Sequence, residues 1–431
     1  MFVDRGRRKN DPAVTEPGGP VHSPIIAMTC NASLRLLGLF LLASGVACDE
    51  PKSNSLGNES AGDPSDAVVE IEPLGTLDGG GIFHLAERPD GSIAAAGVAD
   101  YSGEQGDAVF FDTLWVGIFA SEGGLQWEQR IPVPIDENRE LDEHELTDLD
   151  VGPQGEVYVS IVDYSDTIES ENRVIKFSAA GQFEWALNLG ARPRAVAALP
   201  TGGALIVGSA PFEGDHDDYR AWTGHVDDDG TLLSSRDWDP GSGPYDAMAF
   251  GSGPILLAGS QAIPSAPSES EVWFAWTDSD QMPSSELVLP DSEGRATVRN
   301  LRRATDDLIL ASAVIDDQHT IVALDTEGNI VSTTSISEDE LLFSAHSPTG
   351  FLSGDRTNCI GPDPAYPTEC SDAVFAGVEA GVRQWEATIE GCGGSSGLAL
   401  GPDEAVVVVG CNNGSELYGG LMAELRRIRV E

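Results

Sequence analysis

The sequence predicts an all-β fold, and within that class a β-propeller of about seven four-stranded blades in residues 67–431. Short apolar runs bounded by Gly, Pro and Asp dominate this part of the chain, which is typical of β-strands. A pair of turn signals recurs about every 50 residues, and a repeat of that length is typical of propeller blades. No stretch carries apolar residues at helical spacing over three turns.

The first turn signal lies between two apolar runs and indicates the number of blades. It occurs seven times, in residues 87–97, 151–162, 199–209, 250–260, 303–313, 347–354 and 401–410. The second turn signal follows a more aromatic or β-branched run, in residues 116–127, 174–185, 223–233, 274–282, 321–331 and 375–385. A pair of sandwiches and a parallel solenoid are the alternatives, but a sandwich needs no fixed period and solenoid repeats are usually shorter.

The two ends of the repeat region predict how the ring closes. The last copy has strands near 396–400, 404–410 and 420–429, with no second turn signal and no fourth strand after them. The run at 67–75 precedes the first copy and resembles the outer strand of the other blades. Pairing it with the C-terminal strands would leave no open sheet between the termini. We therefore predict a ring that is closed by an N-terminal strand.

The charge balance limits the partners of this chain. It has 71 Asp and Glu against 24 Lys and Arg, a formal net charge of -47. Nucleic-acid phosphates and anionic headgroups are bound through Lys and Arg, so such a surface repels them. Hydrophobic residues still make up 41% of the chain, which indicates a folded body rather than a disordered acidic chain. Nucleic-acid binding is excluded on this basis.

Residues 28–48 have the anatomy of an export signal. Arg35 precedes the apolar run 36–43, which is too short for a spanning helix of about 20 residues but suits the core of a signal peptide. Small residues then precede Cys48, which resembles a bacterial lipoprotein signal and implies that Cys48 is lipidated. Gly45 stands where such signals usually carry Leu, so ordinary cleavage with a free Cys48 is the alternative.

The segments on either side of the signal predict little structure of their own. Residues 1–27 are polar and rich in Pro and Gly, which indicates either a disordered leader or a stretch ahead of a true start at Met28. Residues 28–47 are the signal peptide. Residues 48–66 are rich in Ser, Gly, Pro and acidic side chains, which is typical of a flexible tether. We expect a protein that is lipid-anchored in the cell envelope, or alternatively periplasmic or secreted.

Two phrases of the repeat carry a resemblance to a known family. They are GLALGPDEAVVVVG at 397–410 and FSAAGQFEW at 177–185. Residues 67–431 resemble bacterial cell-surface lipoproteins built from propeller repeats of the PQQ-like and SBBP type. The resemblance implies a propeller fold and an envelope location, and it implies no activity.

Four cysteines follow the signal region, and an even number in an exported chain predicts disulfide bonds. Of the three possible pairings, position favours Cys359 with Cys370, which flank a loop between adjacent strands of the sixth blade. It likewise favours Cys392 with Cys411, which stand at the entry and exit of a hairpin. A zinc site is the alternative, but the spacing lacks a C-x-x-C pair and an oxidising compartment disfavours free thiolates.

The sequence contains no convincing catalytic site. GGSSG at 393–397 matches a G-x-S-x-G nucleophile motif with Ser395 as the nucleophile, but that motif needs a following helix, and another strand follows here. The repeats resemble those of quinoprotein dehydrogenases, yet neither adjacent cysteines nor an evident cofactor pocket is present. Scattered histidines show no metal-ligand spacing, at positions 84, 144, 216, 225, 319 and 346. Trp127, Trp185 and Trp385 follow the second turn and predict packing between blades.

Acidic clusters are the remaining candidates for ligand binding, with calcium as the only cofactor considered. The clusters occupy residues 136–145, 213–218 and 227–230, and calcium prefers several oxygen ligands from one loop. None has the D-x-D-x-D-G spacing, so solvated carboxylates are the alternative. The candidate ligands are Asp215, Asp217, Asp218, Asp227 and Asp229.

The lengths of the connections predict which face of the ring carries function. In a four-stranded meander, two turns lie on the same face: the one between strands one and two, and the one between strands three and four. These turns correspond to the two turn signals, and both are short. The other connections are predicted to be long and irregular, in residues 99–108, 134–145, 163–172, 211–220, 261–271, 355–371 and 411–419. Such loops on a rigid scaffold commonly bear function.

This asymmetry favours a non-catalytic binding scaffold whose partner is an envelope protein, a glycan or a cationic ligand. A hydrolase or dehydrogenase with a site at the ring axis is the alternative function. The sequence does not identify the ligand.

Overall fold

The protein is represented by a computed structural model. It describes residues 68–105, 108–132, 144–163, 172–212, 215–238, 242–250, 254–263, 266–278, 281, 283–289, 296–305, 308–316, 318–335, 342–345, 350–360, 369–379, 382–412 and 421–431. These residues form 28 strands in seven four-stranded antiparallel sheets and no helix. The fold is a seven-bladed β-propeller, which confirms the predicted class and number of blades.

Each of the first six blades is formed by four strands that are consecutive in sequence. Blades 1 to 3 contain β2 (Gly81–Glu87), β3 (Ile93–Gln105), β4 (Ala108–Phe119), β5 (Leu125–Pro132), β6 (His144–Val151), β7 (Val157–Asp163), β8 (Arg173–Phe177), β9 (Phe183–Asn188), β10 (Arg192–Ala198), β11 (Ala204–Phe212), β12 (Asp215–Val226) and β13 (Leu232–Asp237). Blades 4 to 6 contain β14 (Ser242–Ala249), β15 (Ile255–Ile263), β16 (Ala266–Thr277), β17 (Pro283–Val288), β18 (Ala296–Thr305), β19 (Leu308–Ile315), β20 (Gln318–Asp325), β21 (Ile330–Ser335), β22 (Leu342–Ala345), β23 (Gly350–Ile360), β24 (Glu369–Glu379) and β25 (Val382–Glu390).

Blade 7 is built from both ends of the propeller chain and closes the ring. It contains β26 (Cys392–Gly401), β27 (Glu404–Asn412), β28 (Leu421–Val430) and, as its outer strand, β1 (Val69–Asp78). β1 runs antiparallel to β28 from Val69 opposite Val430 to Asp78 opposite Met422. The carbonyl of Leu74 also accepts a hydrogen bond from the Gly124 N–H of blade 1 at 2.8 Å. The predicted closure by an N-terminal strand is therefore confirmed.

The core consists of apolar layers between neighbouring blades. Leu74 and Leu77 of the closing strand pack with Ile82, Leu85 and Phe119 of blade 1, and comparable buried clusters join the other successive blades. Because both faces of each sheet are covered, the middle strands read as continuous apolar runs. The outer strands alternate between exposed and half-buried residues instead, as β5 shows. The first strands of successive blades contact one another around the whole ring, so they are the innermost strands.

Tryptophans after the second turn join blades 1, 2 and 6 each to the next blade, as their positions predict. The indole N–H of Trp127 donates to the Ala179 carbonyl in blade 2 at 3.3 Å, and that of Trp185 donates to the Asp228 carbonyl in blade 3 at 2.9 Å. Trp385 donates to the Pro402 carbonyl in blade 7. The ring of Trp127 lies so close to Gly181 that a Cβ there would stand 2.5 Å from it.

Nothing in the described part of the chain forms a helix that could span a membrane.

We predict that Gly181→Ala destabilises the propeller more than Gly91→Ala. Both glycines close a short turn and have nearly equal positive φ angles, 77° and 78°, so each alanine costs about 1–2 kcal/mol for the left-handed backbone. A Cβ at Gly91 meets only one atom, at 4.0 Å, whereas at Gly181 it clashes with Trp127. Overpacking should add about 1–3 kcal/mol. Urea unfolding of both variants measures this difference, and equal losses would contradict the role given to Trp127.

Candidate functional site

The connections divide the ring into two faces. Turns between the first and second strands, and between the third and fourth strands, lie on one side, here called the short-turn face. The turn from Ser178 to Gly181 is an example, closed by a 2.9 Å bond from the Gly181 N–H to the Ser178 carbonyl. The hairpins between second and third strands, and the links between blades, lie on the other side, here called the long-hairpin face. The 227–230 cluster lies on the short-turn face.

Several predicted long loops are instead two-stranded ribbons that extend beyond their blades. In blade 1, β3 and β4 remain paired as far as Gln105 opposite Ala108. The flanking strands stop earlier, because β2 begins opposite Val98 and β5 ends opposite Thr113. Blade 3 has a similar ribbon, from Ala210 opposite Arg220 to Phe212 opposite Asp215. In blade 6 the pairing runs as far as Ile360 opposite Glu369. The prediction of irregular loops is wrong at these places, because continued pairing satisfies the backbone N–H and C=O groups.

Other parts of the long-hairpin face lie outside the described residues. Within the predicted loops, these are 134–143, 164–171, 361–368 and 413–419, and the short stretches 106–107, 213–214 and 264–265. The hairpin of blade 4 is a ladder that runs as far as Ile263 opposite Ala266. In blade 5 the equivalent hairpin is short, with Ile315 opposite Gln318. The long-hairpin face is therefore uneven around the ring.

The four cysteines occupy two directly opposed backbone positions. Cys359 lies opposite Cys370 in the blade 6 ribbon, and Cys392 lies opposite Cys411 at the start of blade 7. Opposed residues on antiparallel strands have Cα atoms about 4.5–5.5 Å apart, within the range that a disulfide spans. No disulfide occurs among the described side chains, and the side chains of these cysteines lie outside that set. The two pairings remain predictions.

The calcium candidates fall in two separate places. Asp215, Asp217 and Asp218 lie on β12 in the blade 3 ribbon, and their side chains are outside the described set. Asp227 lies in a short turn, where its carboxylate accepts hydrogen bonds from the N–H groups of Asp229 and Thr231 at 3.1 and 2.7 Å. The part of the chain that the structure describes contains no group of three or more potential metal ligands. Asp227 is therefore engaged in holding its own turn.

A β-bulge recurs in the innermost strands, at the same position in six blades. It shifts the register between Ile82 and His84, between Leu146 and Asp148, and between residues 193 and 195, 244 and 246, 298 and 300, and 394 and 396. Each bulge adds one residue and redirects the side chains beside it. The residue after the bulge is therefore equivalent from blade to blade.

At this equivalent position, carboxylates bind the innermost strand of the next blade. Asp148 accepts a hydrogen bond from the Val196 N–H at 3.0 Å, and Asp246 accepts one from the Leu301 N–H at 2.5 Å. Two residues after Asp148, Asp150 accepts one from the Ala198 N–H at 2.8 Å. These bonds satisfy donors on strand edges that have no further strand beside them.

His84 is the equivalent residue in blade 1, and it also contacts blade 2. Its Nε2 lies 3.1 Å from the carbonyl oxygen of Leu146, which makes Nε2 the donor. Its Nδ1 lies 3.9 Å from Oδ1 of Asp148. Both contacts link blade 1 to blade 2.

Burial raises the pKa of the carboxyl groups of Asp148, Asp150 and Asp246, which we call the axial carboxylates. The pKa of Asp148 and that of Asp150 rise to about 6, and the negative charge of Asp148 helps to raise the pKa of Asp246 to about 7. The positive charge of Arg302 opposes the rise in all three. Groups with these pKa values exchange protons near neutrality, as general acids and bases do.

Two other polar side chains of the bulged strands have a buried atom without a hydrogen-bond partner among the described residues. They are Oδ1 of Asn300 and Oγ of Ser396, the residues equivalent to Asp148 in blades 5 and 7. Arg194 and Tyr245 occupy the bulges of blades 3 and 4, with the Arg194 guanidinium 4.7 Å from the Tyr245 ring centroid. The axis is therefore polar on several sides.

The geometry assigns the axial carboxylates a structural role. One oxygen of each is held by a backbone donor of the next blade, so the blade-to-blade bonds account for their positions. Sequence reasoning missed these residues, although a charged side chain within an otherwise apolar inner strand, as in LTDLDV at 146–151, was an available signal. Ser395 lies within β26 rather than on a strand-to-helix turn, so the G-x-S-x-G match does not form a nucleophile elbow.

Comparisons with known proteins give no family for this chain. No protein-family model matches it, and no curated protein matches it. Among solved structures it is similar to a protein of unknown function from Bacteroides caccae, with 13% identity, a TM-score of 0.38 and coverage of 69% of this chain and 93% of the other. An unknown-function protein from Dyadobacter fermentans has 10% identity, a TM-score of 0.44 and coverage of 84% and 99%. These likenesses are too weak to support any statement about function.

We predict that Asp246→Asn stabilises the propeller at pH 8 and has little effect at pH 4. The folded-state pKa of Asp246 is raised above the usual 3.8, so its stability contribution is complete at low pH and is lost as pH rises from about 4 to 7. Over that window the loss is on the order of a few kcal/mol. Asparagine still accepts the Leu301 N–H and carries no charge. Thermal unfolding at both pH values measures the change.

The matched control is Asp325→Asn, because the same substitution at that position should have the opposite effect on stability. Hydrogen bonds from Asn329 lower the pKa of Asp325, so its contribution is present above the usual pKa and lost at low pH. The variant should lower the melting temperature at pH 8. An Asp246→Asn protein that melts below the parent at pH 8 would contradict the burial cost that we assign to this carboxylate.

We predict that unreduced protein contains no free thiol among the four propeller cysteines. Alkylation in denaturant followed by intact-mass measurement should add no label at Cys359, Cys370, Cys392 or Cys411. In the Cys359→Ser variant, peptide mapping should find the label on Cys370 alone, and in the Cys392→Ser variant on Cys411 alone. Label on a different propeller cysteine would refute the pairing, and four labelled propeller thiols in the parent would refute the bridges.

Proposed function

We propose that the protein is an envelope-anchored, non-catalytic binding scaffold that presents the ribbons of its long-hairpin face to a partner. The observation that carries the proposal is the point at which the chain enters the ring. β1 begins at Val69, opposite Val430 at the end of β28, and a third strand of a blade ends on the short-turn face. A tether that leads from a lipidated Cys48 would therefore join the propeller on the face opposite the ribbons.

The rigidity of the ring supports a display role. Each blade is fixed to its neighbours by an apolar layer, and the ribbons extend from the two middle strands, which are the most completely buried. An isolated two-stranded ribbon is only marginally stable in water. A Cys359–Cys370 bridge would stabilise the blade 6 ribbon where no further strand covers it. Ribbons held in this way bind with little loss of conformational entropy.

The charge of the chain supports a choice among partners. A net charge of -47 favours a cationic ligand or a partner with a basic surface, and a glycan remains compatible because neutral sugars need only hydrogen bonds. The blade 3 ribbon carries Asp215, Asp217 and Asp218 within four residues of sequence. We propose this ribbon as the calcium-dependent part of the surface, if calcium takes part in binding. No other cofactor is proposed.

The alternative function is an exported enzyme with a site at the ring axis. The axial carboxylates favour it, since carboxyl groups with raised pKa values and a nearby Arg302 are also found in active sites. Their hydrogen bonds to the backbone of the next blade favour the scaffold instead, because a group held in this way has less freedom to contact a substrate.

We predict that shortening two ribbons abolishes capture of the partner and leaves the fold intact. Ala99 lies opposite Thr113, and Ala210 lies opposite Arg220, so an Asn-Gly turn can join each pair and replace residues 100–112 and 211–219 without a change of register. The full chain is used as bait with envelope extracts, with and without calcium. Captured proteins are identified by mass spectrometry, and glycans are tested on an array.

The control neutralises three carboxylates on the short-turn face and leaves both ribbons in place. Glu122, Asp229 and Glu327 are exposed there, and the triple variant Glu122→Gln, Asp229→Asn, Glu327→Gln should capture the partner as the parent does. If the shortened variant has the same unfolding midpoint as the parent and still captures the partner, the ribbons are not the binding surface. Turnover of a small substrate that Asp148→Asn abolishes would favour the enzyme.

A further inference from the structure

The exposed large apolar side chains are concentrated on one rim of the propeller. Eight such residues are found among the described residues, and Phe83 alone among them lies on an innermost strand. The other seven lie at or next to the first residue of an outer strand, and all but Val68 follow a short turn: Val68, Leu125, Phe183, Leu232, Leu233, Val331 and Val382. We call these seven residues the apolar rim. It follows the outer edge of the short-turn face.

The apolar rim is most continuous over four consecutive blades. Val68 belongs to the outer strand of blade 7, Leu125 to blade 1, Phe183 to blade 2, and Leu232 and Leu233 to blade 3. Phe183 and Leu233 are 60% and 56% exposed, so neither is needed to fill the core. Blade 4 interrupts the rim, because its outer strand begins with Pro283 and Ser284.

The chain enters the propeller within this rim. Val68 is 62% exposed and directly precedes the closing strand, so every residue before it, including Cys48, is joined to the ring there. About 20 residues separate Cys48 from Val68, and a flexible chain of that length spans about 25 Å on average. A lipid on Cys48 would hold the short-turn face close to the membrane. Scattered apolar residues are common on surfaces, but here they recur at one structural position and at the point of attachment.

We propose that the apolar rim of blades 7, 1, 2 and 3 rests on the lipid bilayer that holds the anchor. This inference depends on the anchoring in the proposed function and adds the orientation of the propeller. Phe and Leu side chains at a rim enter the boundary between headgroups and acyl chains and add to a single lipid anchor, which alone binds reversibly. The lipid surface must be neutral overall, because the negative charge of the protein opposes anionic headgroups.

The turns beside the rim are compatible with a lipid surface in blade 2. The turn Ser178–Ala179–Ala180–Gly181 carries no charge, and Phe183 follows it. The blade 1 turn carries one carboxylate, Glu122, and the blade 3 turn carries three, Asp227, Asp228 and Asp229, of which Asp228 is paired with Lys176 at 2.5 Å. Phe183 follows this uncharged turn and precedes Glu184, whose carboxylate is paired with Lys176 at 2.9 Å. We therefore expect Phe183 to enter the bilayer before the rim residues of blades 1 and 3.

The test measures contact between the rim and acyl chains in the full-length protein. Protein extracted from the envelope is reconstituted into phosphatidylcholine vesicles with or without brominated acyl chains, which quench tryptophan only at short range. Phe183→Trp and Leu233→Trp each place a new indole on the rim. Phe83→Trp is the matched control, because Phe83 is similarly exposed, at 47%, and lies on the innermost strand of blade 1. Flotation of the same vesicles reports whether the protein is bound.

Each variant adds the emission of one tryptophan to that of the parent. We expect brominated vesicles to quench the added emission of the two rim variants and to leave the added emission of the Phe83→Trp control unchanged. Equal quenching of rim and control in floating vesicles would overturn the rim inference and leave the anchoring intact. Protein that does not float would overturn the anchoring and the orientation together. Unquenched rim variants that cross-link to each other in the membrane would instead make the rim an interface between copies and refute the lipid contact.

Discussion

The pairing of β1 with β28 is the interaction on which the rest of the structure depends. Each blade buries both of its faces against neighbours, so the apolar layers are complete only in a closed ring. Without β1, blade 7 would lose its outer strand, and Leu74 and Leu77 would no longer cover the interface with blade 1. The carbonyl of Leu74 also accepts a hydrogen bond from blade 1. One ladder between sequence-distant strands therefore links the first blade to the last.

Two kinds of contact then maintain the order of the blades at different radii. On the outer side, an indole N–H of one blade binds a turn carbonyl of the next, and a glycine in that turn leaves room for the ring in blades 2 and 3. Near the axis, the carboxylates of Asp148 and Asp246 bind backbone N–H groups of the next innermost strand. These inner contacts satisfy backbone N–H groups on the edges of the innermost strands, but they also bury the carboxylates. Burial raises the pKa values of Asp148 and Asp246.

The two faces of the ring differ for a topological reason. Turns on the short-turn face connect strands that must remain close, so they are tight and similar to one another. Hairpins on the other face can lengthen without disturbing a blade, and those of blades 1, 3 and 6 do so as paired ribbons. The entry of β1 at the short-turn face separates the attachment point from these ribbons. The proposed display function and the proposed contact of the rim with lipid both follow from this separation.

The sequence by itself determined the all-β class, the seven repeats, the closing strand and the division into faces. These features depend on turn residues, apolar runs and a missing fourth strand, which are local patterns that can be compared from one repeat to the next. It also indicated that Trp127, Trp185 and Trp385 pack between blades, since aromatic residues recur after the second turn.

Only the tertiary structure decided which residues from different blades meet. Asp148, Asp246 and Arg302 are separated by more than 50 residues, and their grouping arises from bulges in strands that are neighbours only in the ring. The ribbons escaped sequence reasoning because their pairing depends on backbone hydrogen bonds rather than on an apolar pattern. The apolar rim is visible only after the outer strands are placed, because exposure depends on which strand has no further strand beside it.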